Sequence, residues 1–314
     1  MANVLLVDPN EIARKALQGI LARGNHRFFA TSTARDAWDF IQRNVKIDLV
    51  VVELKLEGDG GLTLIERLHR DALLRLLPVV IYTAATSREA VTRALALKVQ
   101  NFLVKPYHDE CIFAEIAKAL SNPWRLQHFE EQNSFCKMMG LTPQELHRML
   151  DGLRISLAAA SAALGDSARA GDAHGALRQL GEFSTSAETA GAWGLVECLA
   201  RLRNKAEYAA WPEFTAGMAG LDFAGRLIFY HLNPDLLPEE FLSREEVCAK
   251  GEEQARARWF DAPAQQRCPV VAWPQLEPQL DALAGCPVID SVAAAFQMTA
   301  TGHPSSLAPL MDLA

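Results

Sequence analysis

No stretch of this 314-residue sequence approaches the roughly 18 uninterrupted apolar residues that a membrane span requires. The opening segment MANVLLVDPN has no basic region ahead of its apolar run, and it reaches Asp8 too early for a secretory signal. A cytoplasmic location is therefore expected. Cysteine is sparse and scattered (Cys111, Cys136, Cys198, Cys248, Cys268, Cys286), with neither a CxxC spacing nor a Cys/His cluster. This excludes a disulfide scaffold and a zinc module, and leaves small buried hydrophobes in a reducing compartment. Clustered positive charge is missing too. The net charge is −7; residues 1–121 hold 16 Lys/Arg against 14 Asp/Glu, while residues 122–314 hold 15 against 24. An acidic second part argues against a nucleic-acid effector there, because phosphate contacts need grouped Lys and Arg.

What is present, over the first 121 residues, is a regular alternation. Short apolar runs (NVLLVD, HRFFAT, DLVVVEL, PVVIYTA, NFLVKP) are each followed by a segment of helical period. Leu49-Val50-Val51-Val52 has no polar alternation and suits a strand covered on both faces. Ala13, Ala16, Leu17, Ile20 and Leu21 form one apolar stripe of a helix. Thr86 and Glu89 have the spacing of a capping box that would start the fourth helix. Five such units predict an α/β doubly wound five-stranded parallel sheet, and such sheets bind ligands at the carboxyl ends of their strands. Those ends carry Asp8, Glu53, Thr83 and Lys105-Pro106. Two carboxylates, a hydroxyl and an ammonium on one rim make a small pocket suited to a cation and an oxyanion.

The segments LLVD, DLVVVELKLEGDGGLTLIERL, PVVIYTA and NFLVKP resemble, in register, the response-regulator receiver domain, a flavodoxin-like fold. The resemblance assigns Glu53 to the phosphoacceptor position, Asp8 to the acidic pocket, Thr83, Phe102 and Lys105 to the switch, and Pro106 to a cis peptide. It implies magnesium held by Asp8, Glu53 and the backbone carbonyl of Lys55. Two departures weaken that chemistry. Receivers place two adjacent acids after the first strand, and here Asp8 is followed by Pro9. Glutamate at 53 sets its carboxylate one methylene, roughly 1.5 Å, beyond where aspartate would, and misplacement by about 1 Å can cost on the order of 100-fold in phosphoryl transfer. Magnesium thus remains a weakened possibility. Glu53 either imitates the phosphorylated state through Lys105 and Thr83 or keeps an inert ion pair. The glycines of Glu57-Gly58-Asp59-Gly60-Gly61 are read as turn residues between strand and helix rather than as a phosphate cradle.

Beyond Asn122-Pro123 the pattern turns helical. Trp124 to Met139 is read as a connector helix, and Thr142-Pro143-Gln144-Glu145 as a capped helix start. Breaks are expected at Gly165-Asp166 and Trp211-Pro212. The run LRQLGEFSTSAETAGAWGLVECLARL resembles a histidine phosphotransfer domain, which would place the phosphorylated histidine at Gly181, a residue without a nucleophile. His174, seven residues upstream, is a poor substitute. Residues 241–314 give a charged helix from Ser243 to Trp259, a linker punctuated by Pro263, Pro269, Pro274 and Pro278, and two short helices that weakly resemble the opening of an HDOD output domain, as if incomplete.

The expected organisation is a receiver over 1–121, a connector and phosphotransfer-like bundle over 122–240, and an acidic helix, linker and HDOD-like module over 241–314. No cyclase, HD phosphodiesterase, P-loop or catalytic-triad spacing occurs, so no enzymatic output is expected. The resemblance implies an atypical response regulator, a pseudo-receiver adaptor of a two-component phosphorelay. It would act through contacts with a histidine kinase or another response-regulator partner, or through a homodimer using the Ser87–Leu120 face, with no nucleic acid or membrane involved. The alternative is a working regulator switched by phosphorylation or magnesium at Asp8, Glu53 and Lys105.

Overall fold

Residues 1–56, 60–84, 92, 96, 97 and 99–242 are described by the structure, a computed structural model. Five strands, β1 (Asn3–Val7), β2 (Arg27–Thr31), β3 (Leu49–Val52), β4 (Val79–Thr83) and β5 (Asn101–Val104), form one parallel sheet in the order β2-β1-β3-β4-β5. The doubly wound five-stranded sheet expected from the alternation is thus present. β1, β3 and β4 are buried throughout, whereas the outer strands β2 and β5 are only half-buried. That difference is why the three inner runs read as unbroken aliphatics.

Helices α1 (Glu11–Arg23) and α4 (Asp109–Ser121) cover one face, packing Leu17, Ile20, Leu21, Ile112 and Ile116 onto Val4, Leu6, Leu49, Val51, Val80 and Tyr82. Helices α2 (Ala34–Arg43) and α3 (Gly60–Arg70) bury Ala37, Ile41, Leu64, Ile65 and Leu68. Asn10 starts α1 by accepting hydrogen bonds from the N–H groups of Ile12 and Ala13, and Thr33 caps α2 in the same way through Asp36. The expected fourth helix, with Thr86, Glu89 and Lys98, lies largely outside the described residues, as do Glu57-Gly58-Asp59 and everything from Ser243 onward.

The region after 121 is all-helical over the described residues, with corrections to the expected breaks. The connector is not one helix: a 3-10 turn (Leu126–His128) precedes α5 (Gln132–Met139). α6 (Pro143–Ala170) runs straight through Gly165-Asp166 and stops at Gly171, whose φ of 68° is the left-handed conformation that ends helices. Leu164, Ser167 and Ala168 stay buried across the expected break, and that packing outweighs the modest cost of a mid-helix glycine. The next run divides into α7 (Ala173–Thr189) and α8 (Trp193–Glu207) around Gly191, and Trp211-Pro212 opens α9 (Trp211–Gly217) instead of merely breaking a helix. Pro212, in the first turn, lacks only an N–H that would have had no helical partner. α10 (Ala219–Leu232) completes a bundle in which α6 packs on α7 and α10, and α7 on α8.

Met1–Leu236 is one compact unit. Trp124, almost wholly buried, donates its indole N–H to the Ile47 carbonyl at 2.9 Å and stacks on Phe223 of α10. Arg125 adds a 2.6 Å ion pair with Asp48. Leu237–Ala314 is a second unit, described only as far as a 3-10 turn at Glu239–Phe241.

Candidate functional site

Parallel strands in register deliver their last residues to one rim. Val7, Val52, Ile81 and Phe102 are aligned neighbours across β1, β3, β4 and β5, so Asp8, Glu53, Thr83 and Lys105 emerge together. Asp8 and Glu53 are 1% and 6% exposed, and Thr83 is fully buried. The Lys105 ammonium bridges the two carboxylates, 2.5 Å from Asp8 Oδ2 and 2.8 Å from Glu53 Oε2. The Thr83 hydroxyl donates to Glu53 Oε1, which also accepts the Lys55 N–H at 3.1 Å. Asp8 Oδ1 accepts the Asn10 N–H at 2.8 Å. All four carboxylate oxygens therefore have donors.

The electrostatics follow from these contacts. Burial pushes Glu53 upward, but hydrogen bonds from Lys105, Thr83 and the Lys55 N–H outweigh it, and the carboxyl sits below its ordinary value. Burial lowers Lys105, and hydrogen bonds and charge attraction from Asp8 and Glu53 reverse this, raising it overall. Glu53 is thus held as a carboxylate and Lys105 as an ammonium at neutral pH.

Close packing fixes the site from beneath. A Cβ at Gly61 would lie 2.4 Å from the Glu53 carbonyl oxygen and 3.0 Å from Leu54 Cα, so α3 can start against the Glu53 backbone only with glycine there. Gly61 was expected as a turn residue; its role is this close approach, while Gly60, at φ 72°, supplies the turn.

The predicted site residues do not all converge. The Lys105–Pro106 peptide is cis. Phe102 sits half-buried on the outer strand β5, aligned with Ile81, while Tyr107 lies against the cluster with its hydroxyl 3.4 Å from Asp8 Oδ2 and its ring 5.7 Å from the Lys105 ammonium. Burial and the Asp8 charge raise the Tyr107 phenol, keeping it protonated. Tyr107 packs against Tyr82 with the rings tilted at 49° and their centroids 4.3 Å apart, and Arg14 clamps the Asp8 carbonyl at 2.7 Å. The sequence had no motif for Arg14; the aromatic two residues past Lys105 was the signal available for Tyr107. An open cleft of about 670 Å³ between α1 and the 105–109 segment borders Asp8, Glu53 and Lys105.

The residues present do not suit a magnesium ion. Such an ion takes near-octahedral oxygen ligands, several of them water and one or two of them carboxylate, whereas Lys105 already bridges Asp8 and Glu53, and Pro9 offers no side-chain oxygen. Among the described residues no group of three or more His, Cys, Asp or Glu side chains is arranged to hold a metal.

In the bundle, Gly181 lies on α7 with open space where a side chain would project. Ser184 and Thr185 bond locally, to Glu188 and to the Gly181 carbonyl. Gly194, in the GAWGL run, is a packing glycine: a Cβ there would meet the His128 ring at 2.4 Å.

The family model for the response regulator receiver domain matches residues 4–117. The two-component response regulator-like protein PRR37 of Oryza sativa subsp. indica is 25% identical over 126 residues, 40% of this chain and 16% of its own. The virulence transcriptional regulatory protein PhoP of Salmonella choleraesuis is 29% identical over 116 residues, 37% of this chain and 50% of its own. The chain therefore spans about a sixth of the first relative's length and half of the second's. A putative response regulator crystal structure from Chloroflexus aurantiacus aligns with 38% of this chain and 98% of its own, at 21% identity and a TM-score of 0.37.

Proposed function

We propose that the receiver domain of residues 4–117 is a pseudo-receiver, held toward a phosphorylated-like arrangement by Glu53, and that the chain works as a signalling adaptor through protein contacts. The observation that carries this is the double engagement of Glu53. One oxygen takes the Lys105 ammonium and the other takes the Thr83 hydroxyl, the two groups that would otherwise answer an added phosphoryl group. An acceptor carboxylate needs a free oxygen facing an incoming phosphorus in line; here both oxygens are occupied, and the second acidic position is Pro9. The added methylene of glutamate reaches toward Lys105 and Thr83, supplying from the protein the negative charge that a phosphoryl group would bring.

In this reading residues 1–121 are the receiver and residues 122–240 a phosphotransfer-like bundle joined to it as part of the adaptor. With glycine at 181, the bundle lacks a nucleophile where the resemblance would put the histidine, and it offers a docking face in place of a relay step. Histidine kinases and other response regulators are the partner class that this architecture suits.

The open cleft beside Lys105 favours a second reading, a regulator still switched by phosphorylation at Glu53. One experiment separates the two. Wild type and the Glu53→Asp/Pro9→Asp double variant are incubated with acetyl phosphate and magnesium, and covalent phosphate is followed by mass spectrometry. Labelling confined to the double variant is expected. Wild-type labelling at a comparable rate would sink the pseudo-receiver.

A further inference from the structure

A second cleft, of about 370 Å³, opens between α2 and α3 of the receiver and α8, α9 and α10 of the bundle. Its lining includes Arg67, Arg70, Arg201 and Lys205 but, among the described residues, a single acid, Asp71. One oxygen of Asp71 is already committed, its Oδ1 accepting the N–H groups of Leu73 at 2.8 Å and Leu74 at 3.0 Å. The cations find few partners. Arg70 approaches Glu66 only at 3.7 Å, and Arg67 lies on the Trp38 ring, its guanidinium carbon 3.7 Å from the centroid. Arg201 pairs with Glu197 at 2.6 Å and donates to the Arg70 carbonyl, which ties the two halves together across the cleft. Lys205 makes no ion pair among the described residues.

Four cations around one concavity repel one another, and the neighbouring acids, Glu197 on Arg201 and the more distant Glu66 on Arg70, offset this only in part. In a protein with net charge −7 such a grouping runs against the overall balance. The apolar part of the lining comes from Leu73, Leu202, Ala216 and Gly217. Arginine forks match phosphate oxygens in pairs, and the volume falls at the small end of the range for ligand pockets, roughly 300–1,000 Å³.

We propose that this cleft binds a phosphorylated small molecule of about mononucleotide size. Its phosphates would lie among Arg70, Arg201 and Lys205, and its less polar part over Leu73 and Leu202 beside Trp38. Because α3 and α8 both contribute, an occupied cleft clamps the receiver to the bundle, a control independent of Glu53.

The test is isothermal titration of the full chain with ATP, inorganic pyrophosphate and adenosine, in wild type, Lys205→Gln and Arg70→Gln. Saturable binding of ATP or pyrophosphate at one per chain is expected, weakening about tenfold in each variant as a charge-assisted contact is lost. Adenosine alone should bind far more weakly. Lys205 has no ion pair to lose and Arg70 only a distant one, and matching thermal midpoints of the unliganded proteins will verify that both variants fold. The proposal is overturned if neither phosphate compound binds saturably, if the variants bind like wild type, or if adenosine binds as tightly as ATP.

Discussion

Lys105 is the residue on which the rim depends. It bridges two nearly buried carboxylates, and its own side chain is 18% exposed. Removing one partner of a buried charge group leaves the others uncompensated. Lys105→Met is therefore expected to cost about 2 kcal/mol at pH 7, the partial exposure of the ammonium tempering the figure for a fully buried pair. Urea unfolding would measure this, and an unchanged midpoint would show that Asp8 and Glu53 find other partners. Asp8, Glu53, Thr83 and Lys105 were legible in the sequence because each directly follows, or ends, an unbroken aliphatic run, and parallel strands must bring such ends to one side. Tyr107 and Arg14 were not, because their placement depends on how the segment after β5 and the first turn of α1 fold back over Asp8. Nor did the sequence explain Gly61, whose glycine is required by backbone approach across a turn.

At the scale of elements, the strands were easier to read than the helix ends. Aliphatic runs in a covered sheet tolerate few alternatives, so all five strands fell where expected. The bundle is alanine-rich, and glycine within it has several meanings: Gly171 ends α6 at positive φ, Gly165 lies mid-helix, and Gly194 makes room for His128. Spacing alone does not separate these roles. Gly181 belongs to yet another group, since among the described residues nothing lies within 4 Å of where its Cβ would be. Gly181→Ala is accordingly expected to stabilise the protein by about 0.5–1 kcal/mol by favouring the helix, read as a raised midpoint in thermal unfolding. A loss of stability would mean that the position is packed or serves a tight local geometry.

For the whole molecule, the joint between receiver and bundle brings a pH dependence. His128 is 2% exposed, its Nε2 has no hydrogen-bond partner among the described residues, and burial, with a further contribution from Arg75, lowers its pKa to about 4 despite the opposing pull of a hydrogen bond to Leu73 and of Glu197. The folded state thus holds the neutral ring, while the unfolded chain takes up a proton near pH 6.5. Stability contributed by the neutral ring is complete above that pH and falls progressively toward pH 4, by on the order of 3 kcal/mol in all. Urea midpoints should already drop between pH 6.5 and 5, where burial of His26, His69 and His231 acts in the same direction, and His128→Gln should make that drop smaller. Trp124 has a consequence for anyone cutting the chain. Its indole and Arg125 satisfy the Ile47 carbonyl and Asp48 beneath the amino ends of the strands, so a receiver fragment ending at Ser121 would leave that underside bare. A fragment extended through Phe129 carries its own plug and is expected to be the more soluble and heat-resistant of the two.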